Sequence, residues 1–150
     1  MLIDSSWFTQ GPRHIQNAND GKTVNLDSMD VNDAIEAYVK EYQYRFLYEM
    51  VGPDIAAKGE GYLDELGDKA KQMFCESFAD YVFFQILRDA NTQSKVTGLV
   101  QLKCADTYVS PIRRQVIAWN RMVDRNRWFN ALTGIRVSEN LLTKINSLNL

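Results

Sequence analysis

The feature that most constrains this fold is a run of residues, 81–87, that is apolar on almost every side. The run lies in a segment with helical spacing from Asp68 to Ala90, whose first half places Phe74 and Phe78 on one side. A helix without a polar face has to be covered on every face. The sequence therefore predicts a central helix, covered by other elements of its own chain or, as an open alternative, partly by a neighbouring copy.

Two amphipathic helices are predicted on either side of this central helix in the sequence. The first follows Asp30 as N-cap and stops at Gly52-Pro53, where Gly ends a helix and Pro prevents its continuation. The second opens at Ser110-Pro111 and closes at Gly134. The apolar positions that recur at helical spacing are Val31, Ile35, Tyr38, Val39, Tyr42, Phe46 and Met50 in the first, and Ile112, Val116, Trp119 and Val123 in the second.

The remaining segments complete a mainly α fold, a small bundle of about four to five helices. Residues 54–66 read as a short helical piece broken near Gly59, and Ser138 is positioned to cap a last short helix that continues to Leu148. Residues 91–110 read as a long loop or a short β-hairpin between the central and late helices. We divide the chain into an extended N-terminal arm (1–29), a helical domain (30–134) and a C-terminal segment (135–150).

Charge is divided unevenly along the chain, although the net charge is only −2. Residues 1–105 carry 10 Lys and Arg against 16 Asp and Glu, whereas residues 106–150 carry 7 against 3. The two halves can pair within one chain or between neighbouring copies. Proteins that bind nucleic acid in bulk are usually strongly basic, and this chain is not.

Three arginines of the late helix form its most distinctive polar feature. Arg114, Arg121 and Arg125 fall within a narrow arc, opposite the apolar stripe. Three interpretations remain open: a solvated face paired with the acidic half, a surface that faces phosphates, or a subunit interface. Trp119 and Trp128 in the same helix favour the interface slightly, because Trp and Arg are enriched at interfaces.

No motif in the chain indicates catalysis, a cofactor or a metal. The single histidine, His14, has no cluster of cysteines or carboxylates beside it in the sequence, as a zinc site would need. Gly59-x-Gly61 lacks the Lys-Ser/Thr that completes a phosphate-binding loop. The two cysteines, Cys75 and Cys104, read as free thiols. Because these motifs are missing from the sequence, we expect no enzymatic activity and no cofactor. No run of 18 apolar residues predicts a membrane span, so we also expect no membrane partner.

Three stretches of packing residues resemble the small helical head–tail connector (adaptor, or head-completion) proteins of tailed phages, in the version of Bacteroides (crAss-like) phages. They are the aromatic helix 34–52, the central helix around residues 81–87 followed by 97–100, and residues 118–123. Residues 8–13, Phe-Thr-Gln-Gly-Pro-Arg, add to the resemblance. Such connectors usually end the first helix with Leu-Leu-Gly, whereas this chain has Met50-Val51-Gly52 and a Gly-rich insertion behind it.

The resemblance implies a structural virion protein, made in the host cytoplasm and placed at the head–tail junction. Identical copies, typically twelve, would form a ring between the portal and the tail or next connector, with a channel that DNA crosses without sequence readout. Arg114, Arg121 and Arg125 then become candidates for subunit contacts or the channel wall. The loop with Val96, Gly98, Leu99 and Val100 becomes a candidate partner contact. The alternatives are a small helical module for nucleic-acid binding or packaging and a ligand-binding helical domain.

Overall fold

The computed structural model describes residues 1–21, 26–92 and 111–149, and these residues form a mainly helical bundle, as predicted. Within these ranges there are no β-strands and five α-helices: α1 (Leu26–Val51), α2 (Pro53–Ala56), α3 (Gly61–Glu65), α4 (Asp68–Thr92) and α5 (Pro111–Thr133). Four short 3₁₀ turns accompany them: Ser5–Phe8, Gly11–Arg13, Glu139–Leu142 and Ser147–Asn149. Most of the predicted loop or hairpin at 91–110, including Cys104, lies outside the described residues.

Helix α4 is the central helix that the sequence predicts. All of residues 81–87 are buried by other parts of the same chain, so no neighbouring copy is needed to cover them. Helices α1 and α5 both pack on α4. Phe46 of α1 stacks on Phe78 with ring centroids 5.2 Å apart, whereas Trp119 of α5 packs on Phe84 at 4.9 Å. Phe78 and Phe84 lie about 120° apart around α4, so α1 and α5 occupy different faces of it.

Helix α1 begins one turn earlier than predicted, at Leu26, so the assignment of Asp30 as its N-cap is wrong. The additional turn buries Ser28 and leaves Asp30 exposed inside the helix. Aspartates in the first turns remain favourable there because the helix dipole places positive partial charge at that end. The C-terminal end is as predicted, since α1 ends at Val51 and Gly52 takes φ +86° before Pro53 starts α2.

Residues 1–21 do not confirm the prediction of an extended arm. They form two 3₁₀ turns, and Ile3, Phe8 and Ile15 are buried in the hydrophobic core. The main-chain N–H of Leu2 donates to Oε1 of Gln43 on α1 at 2.8 Å. The apolar residues of this segment have no helical period, and they enter the core through contacts with distant parts of the chain.

The C-terminal segment contains two separate 3₁₀ turns, so the prediction of one short helix from Ser138 to Leu148 is wrong. Ser138 precedes the first turn, but its side chain makes no capping hydrogen bond. Residues 143–146 between the turns instead pair with α5. The Trp119 indole donates to the carbonyl of Thr143 at 2.8 Å, and the Asn120 side chain bonds both the N–H and the carbonyl of Ile145.

Candidate functional site

The structure brings two of the three predicted arginines together around one buried carboxylate, Asp80 of α4. Arg121 binds Asp80 with two nitrogens, Nη2 to Oδ1 and Nε to Oδ2, the latter at 3.0 Å. Arg125 donates from Nη1 to Oδ2 at 2.7 Å. The Asp80 side chain is fully buried, whereas the two guanidinium groups are partly exposed. Helix α5 is therefore joined to α4 by charge-assisted hydrogen bonds, which are stronger than neutral ones.

A third arginine, Arg13 of the N-terminal segment, completes this Asp80 cluster. Its Nη1 lies 3.1 Å from Oδ1 of Asp80, and its Nη2 lies 2.7 Å from Oε2 of Glu76. The sequence interpretation missed both Arg13 and Asp80. A signal was present, because Asp80 is a lone carboxylate beside an almost wholly apolar run, and a buried carboxylate needs a cationic or hydrogen-bonding partner. The partner itself is 67 residues away, and helical periodicity does not reach that far.

The cluster keeps Asp80 ionised. Burial by itself raises the pKa of this carboxyl, but the hydrogen bonds from Arg121 and Arg125 and the positive charges of Arg121 and Arg13 outweigh burial and hold the pKa below its ordinary value. A carboxylate whose two oxygens both accept from guanidinium groups is a poor general base. The arrangement is suited to holding three segments of the chain together rather than to proton transfer.

Arg114 lies apart from the cluster and is buried over the Phe83 ring of α4. Its guanidinium carbon sits 5.1 Å from the centroid of the Phe83 ring, and its Nη2 is 3.5 Å from the carbonyl of His14. The three predicted arginines thus face the interior to different degrees. Pairing with the acidic half of the chain, the first of the three interpretations, matches the contacts of Arg121 and Arg125. An interface or channel role for the three stays a prediction.

The outer side of α5 carries large apolar side chains that the fold does not cover. Trp128 is 68% exposed, and Ile117 and Leu132 are about half exposed. The three lie within about 60° of one another around the helix, so they form one surface, called here the α5 patch. Trp119, nine residues before Trp128 and so on the opposite side of α5, is only 7% exposed. The fold therefore buries Trp119 and leaves Trp128 exposed to solvent.

A second exposed aromatic surface lies on the outer side of α1. Tyr44 and Tyr48, one turn apart, are 60% and 47% exposed and form the α1 patch. On the same side of α1 and N-terminal to them lie Asp30, Asp33 and Glu41, all exposed. Isolated exposed apolar residues are normal on proteins, but groups of large ones on one helix face indicate interaction surfaces.

Metal-ligating groups, the buried thiol and the cavities can be described for the same residues. The described residues contain no group of three or more His, Cys, Asp or Glu side chains that could hold a metal ion. Burial raises the pKa of the Cys75 thiol, which makes it a weak nucleophile. The described residues line a cavity of about 270 Å³ between Arg45, Gln85 and Trp119, and another of about 440 Å³ beside Lys69 and Leu132, which is within the volume of ordinary ligand sites. Among the helices in the described ranges, none is long and apolar enough to cross a membrane.

Comparison of the chain with protein-family models, curated proteins and solved structures gives no match. The position of Val96, Gly98, Leu99 and Val100, predicted to contact a partner, lies outside the described residues.

Proposed function

We propose that this chain is a structural virion protein, one subunit of a ring adaptor between the portal and the tail of a tailed phage. The observation that supports this best is the α5 patch, where the exposed Trp128 lies one turn from Leu132 and on the same side of the helix as Ile117. Tryptophan is the residue type most enriched at the energetic centres of interfaces. The resemblance of three stretches of packing residues to head–tail connector proteins also supports the proposal. The kind of assembly, a ring between portal and tail, is taken from that resemblance.

In this proposal the ring contains identical copies, twelve by resemblance, and encloses a channel that DNA crosses without sequence readout. The portal binds one face, and the tail or the next connector binds the other. The segment containing Val96, Gly98, Leu99 and Val100 is the proposed partner contact. The protein is made in the host cytoplasm and works at the head–tail junction of the virion.

No specific observation favours the two alternative functions. Nucleic-acid binding through Arg114, Arg121 and Arg125 would need guanidinium groups directed at phosphates, but Arg121 and Arg125 bind Asp80 and Arg114 lies over Phe83. Binding of a small ligand would need a well-formed pocket with convergent polar groups.

Electron microscopy of the purified chain, alone and mixed with the portal from its own genome neighbourhood, tests the proposal. We expect rings, or portals that carry an additional layer of density. The Trp128→Ser variant should weaken this layer, while Leu148→Ser, which alters an apolar side chain that is 91% exposed outside both patches, should leave it intact. A wild-type chain that neither forms rings nor decorates the portal would refute the proposal.

A further inference from the structure

The α1 and α5 patches lie on different sides of the molecule. Helix α1 packs on Phe78 of α4, and α5 packs on Phe84 through Trp119, which lies opposite Trp128 around α5. Phe78 and Phe84 are about 120° apart around the axis of α4. The outer surfaces of α1 and α5 therefore point away from α4 in different directions, and neither can cover the other within one molecule.

Charge differs between the two outer surfaces. The outer side of α1 carries Asp30, Asp33 and Glu41 against Lys40, with Arg45 at its edge. The outer side of α5 is flanked by exposed Arg113 and Arg127, and its one carboxylate, Asp124, pairs with Lys144 at 3.0 Å. One surface is acidic and the other is basic, and complementary charge guides two surfaces together.

The spacing of apolar and charged groups also matches between the two surfaces. On α1, Asp30 precedes Tyr44 by 14 residues, about 21 Å along the helix. On α5, Arg113 precedes Trp128 by 15 residues, about 22 Å. If the two helices run parallel with Tyr44 opposite Trp128, the acidic start of α1 meets Arg113.

The same register aligns two further pairs. Tyr48 follows Tyr44 by four residues, as Leu132 follows Trp128, so these apolar side chains fall opposite each other. Lys40 precedes Tyr44 by four residues, as Asp124 precedes Trp128, which places opposite charges together. An antiparallel pairing about the same centre would instead place Asp124 beside Tyr48 and the acidic start of α1 beyond the end of α5.

We propose that the α1 patch of one copy binds the α5 patch of the next copy, head to tail, with the two helices parallel. Two different patches on different sides of a subunit make a heterologous contact, which closes into a ring when the rotation per copy allows it. This inference deepens the proposed function, since it names the contact between subunits of the proposed ring.

Sedimentation velocity on two complementary variants tests the head-to-tail contact. One variant is Trp128→Ser, which keeps only the α1 patch intact, and the other is Tyr44→Ser with Tyr48→Ser, which keeps only the α5 patch. Wild type should form oligomers, and each variant alone should associate at least about thirtyfold more weakly. An equimolar mixture of the two variants should form a dimer and nothing larger, since one intact contact remains.

The Leu148→Ser variant serves as the control and should associate like wild type. A dimer of either variant alone would show that a patch binds its own counterpart and would overturn the head-to-tail contact. So would a mixture that stays monomeric, or a wild-type chain that stays monomeric at millimolar concentration. The proposed function is tested separately, by electron microscopy. If the chain is monomeric in solution but still adds a layer of density to the portal, the proposed function stands and only the head-to-tail contact is excluded.

A charge exchange tests the parallel direction. Asp30→Arg and Arg113→Asp should each weaken the association of otherwise wild-type chains, and the double variant should regain most of it. Because both side chains are exposed, neither change should lower the melting temperature appreciably. Failure of the double variant to recover, with the single variants weakened, would exclude the parallel register.

Discussion

Buried and exposed contacts of helix α5 use the same residue types for different purposes. On the inner side, Trp119 packs on Phe84 and donates its indole hydrogen to the carbonyl of Thr143. Arg121 lies only about 20° from Trp128 around the helix, yet it holds the buried carboxylate of Asp80. On the outer side, Trp128 is exposed and Arg113 faces solvent. The comparison teaches that an Arg- and Trp-rich helix is not by itself an interface, because the fold decides which of these side chains remain available to a partner.

The largest expected effect is on the inner side, for Trp119→Ala. Removal of a nearly buried indole leaves a cavity and an unpaired carbonyl at Thr143, so we expect a loss of about 3–5 kcal/mol in the free energy of unfolding. Chemical denaturation monitored by circular dichroism measures this. A variant with wild-type stability that no longer assembles would show instead that Trp119 belongs to an interface.

Asp80→Asn should have an effect of similar size, about 3–5 kcal/mol, because it leaves three guanidinium groups around a neutral side chain. Asp124→Asn is the matched control, since it makes the same change in an exposed pair with Lys144 and should cost less than about 1 kcal/mol. Equal losses for the two variants, measured by urea denaturation, would contradict the view that burial makes the Asp80 cluster important.

Low pH should reduce the contribution of the Asp80 cluster to the free energy of unfolding. The folded pKa of Asp80 lies below the unfolded value, so the unfolded chain takes up the proton first as the pH falls. The stability that ionised Asp80 provides is therefore present above about pH 4 and is lost as the pH falls through the folded pKa. The difference in unfolding free energy between wild type and Asp80→Asn should shrink below pH 4, and a constant difference down to pH 2 would argue against an ionised Asp80.

The smallest effect on stability is expected on the outer side, for Trp128→Ser. Its side chain is 68% exposed, so the free energy of unfolding should change by no more than about 0.5 kcal/mol. Differential scanning calorimetry under conditions that keep both proteins monomeric measures this. A loss comparable to that of Trp119→Ala would mean that the two sides of α5 do not differ in the way described.

Most helices could be predicted from local patterns, whereas the Asp80 cluster could not. The apolar run at residues 81–87 predicted a covered central helix, and Gly52 and Gly134 marked helix ends correctly. Signals of this kind span one or two turns, so they are visible in the sequence. Asp80 is paired by Arg13, 67 residues earlier, and by Arg121, 41 residues later, and no local period connects residues so far apart.

The sequence by itself determined a mainly helical chain with α4 at its centre, because an apolar surface on every side of a helix has one stable outcome, burial. Helical spacing also placed Trp119 on the apolar stripe of α5, where it is buried. Only the tertiary structure decided that Arg121 and Arg125 turn inward to Asp80, that residues 1–21 enter the core, and that Trp128 remains outside. The physical reason is that these outcomes depend on which distant segments meet, and burial of a charge is tolerated only where its partners arrive with it.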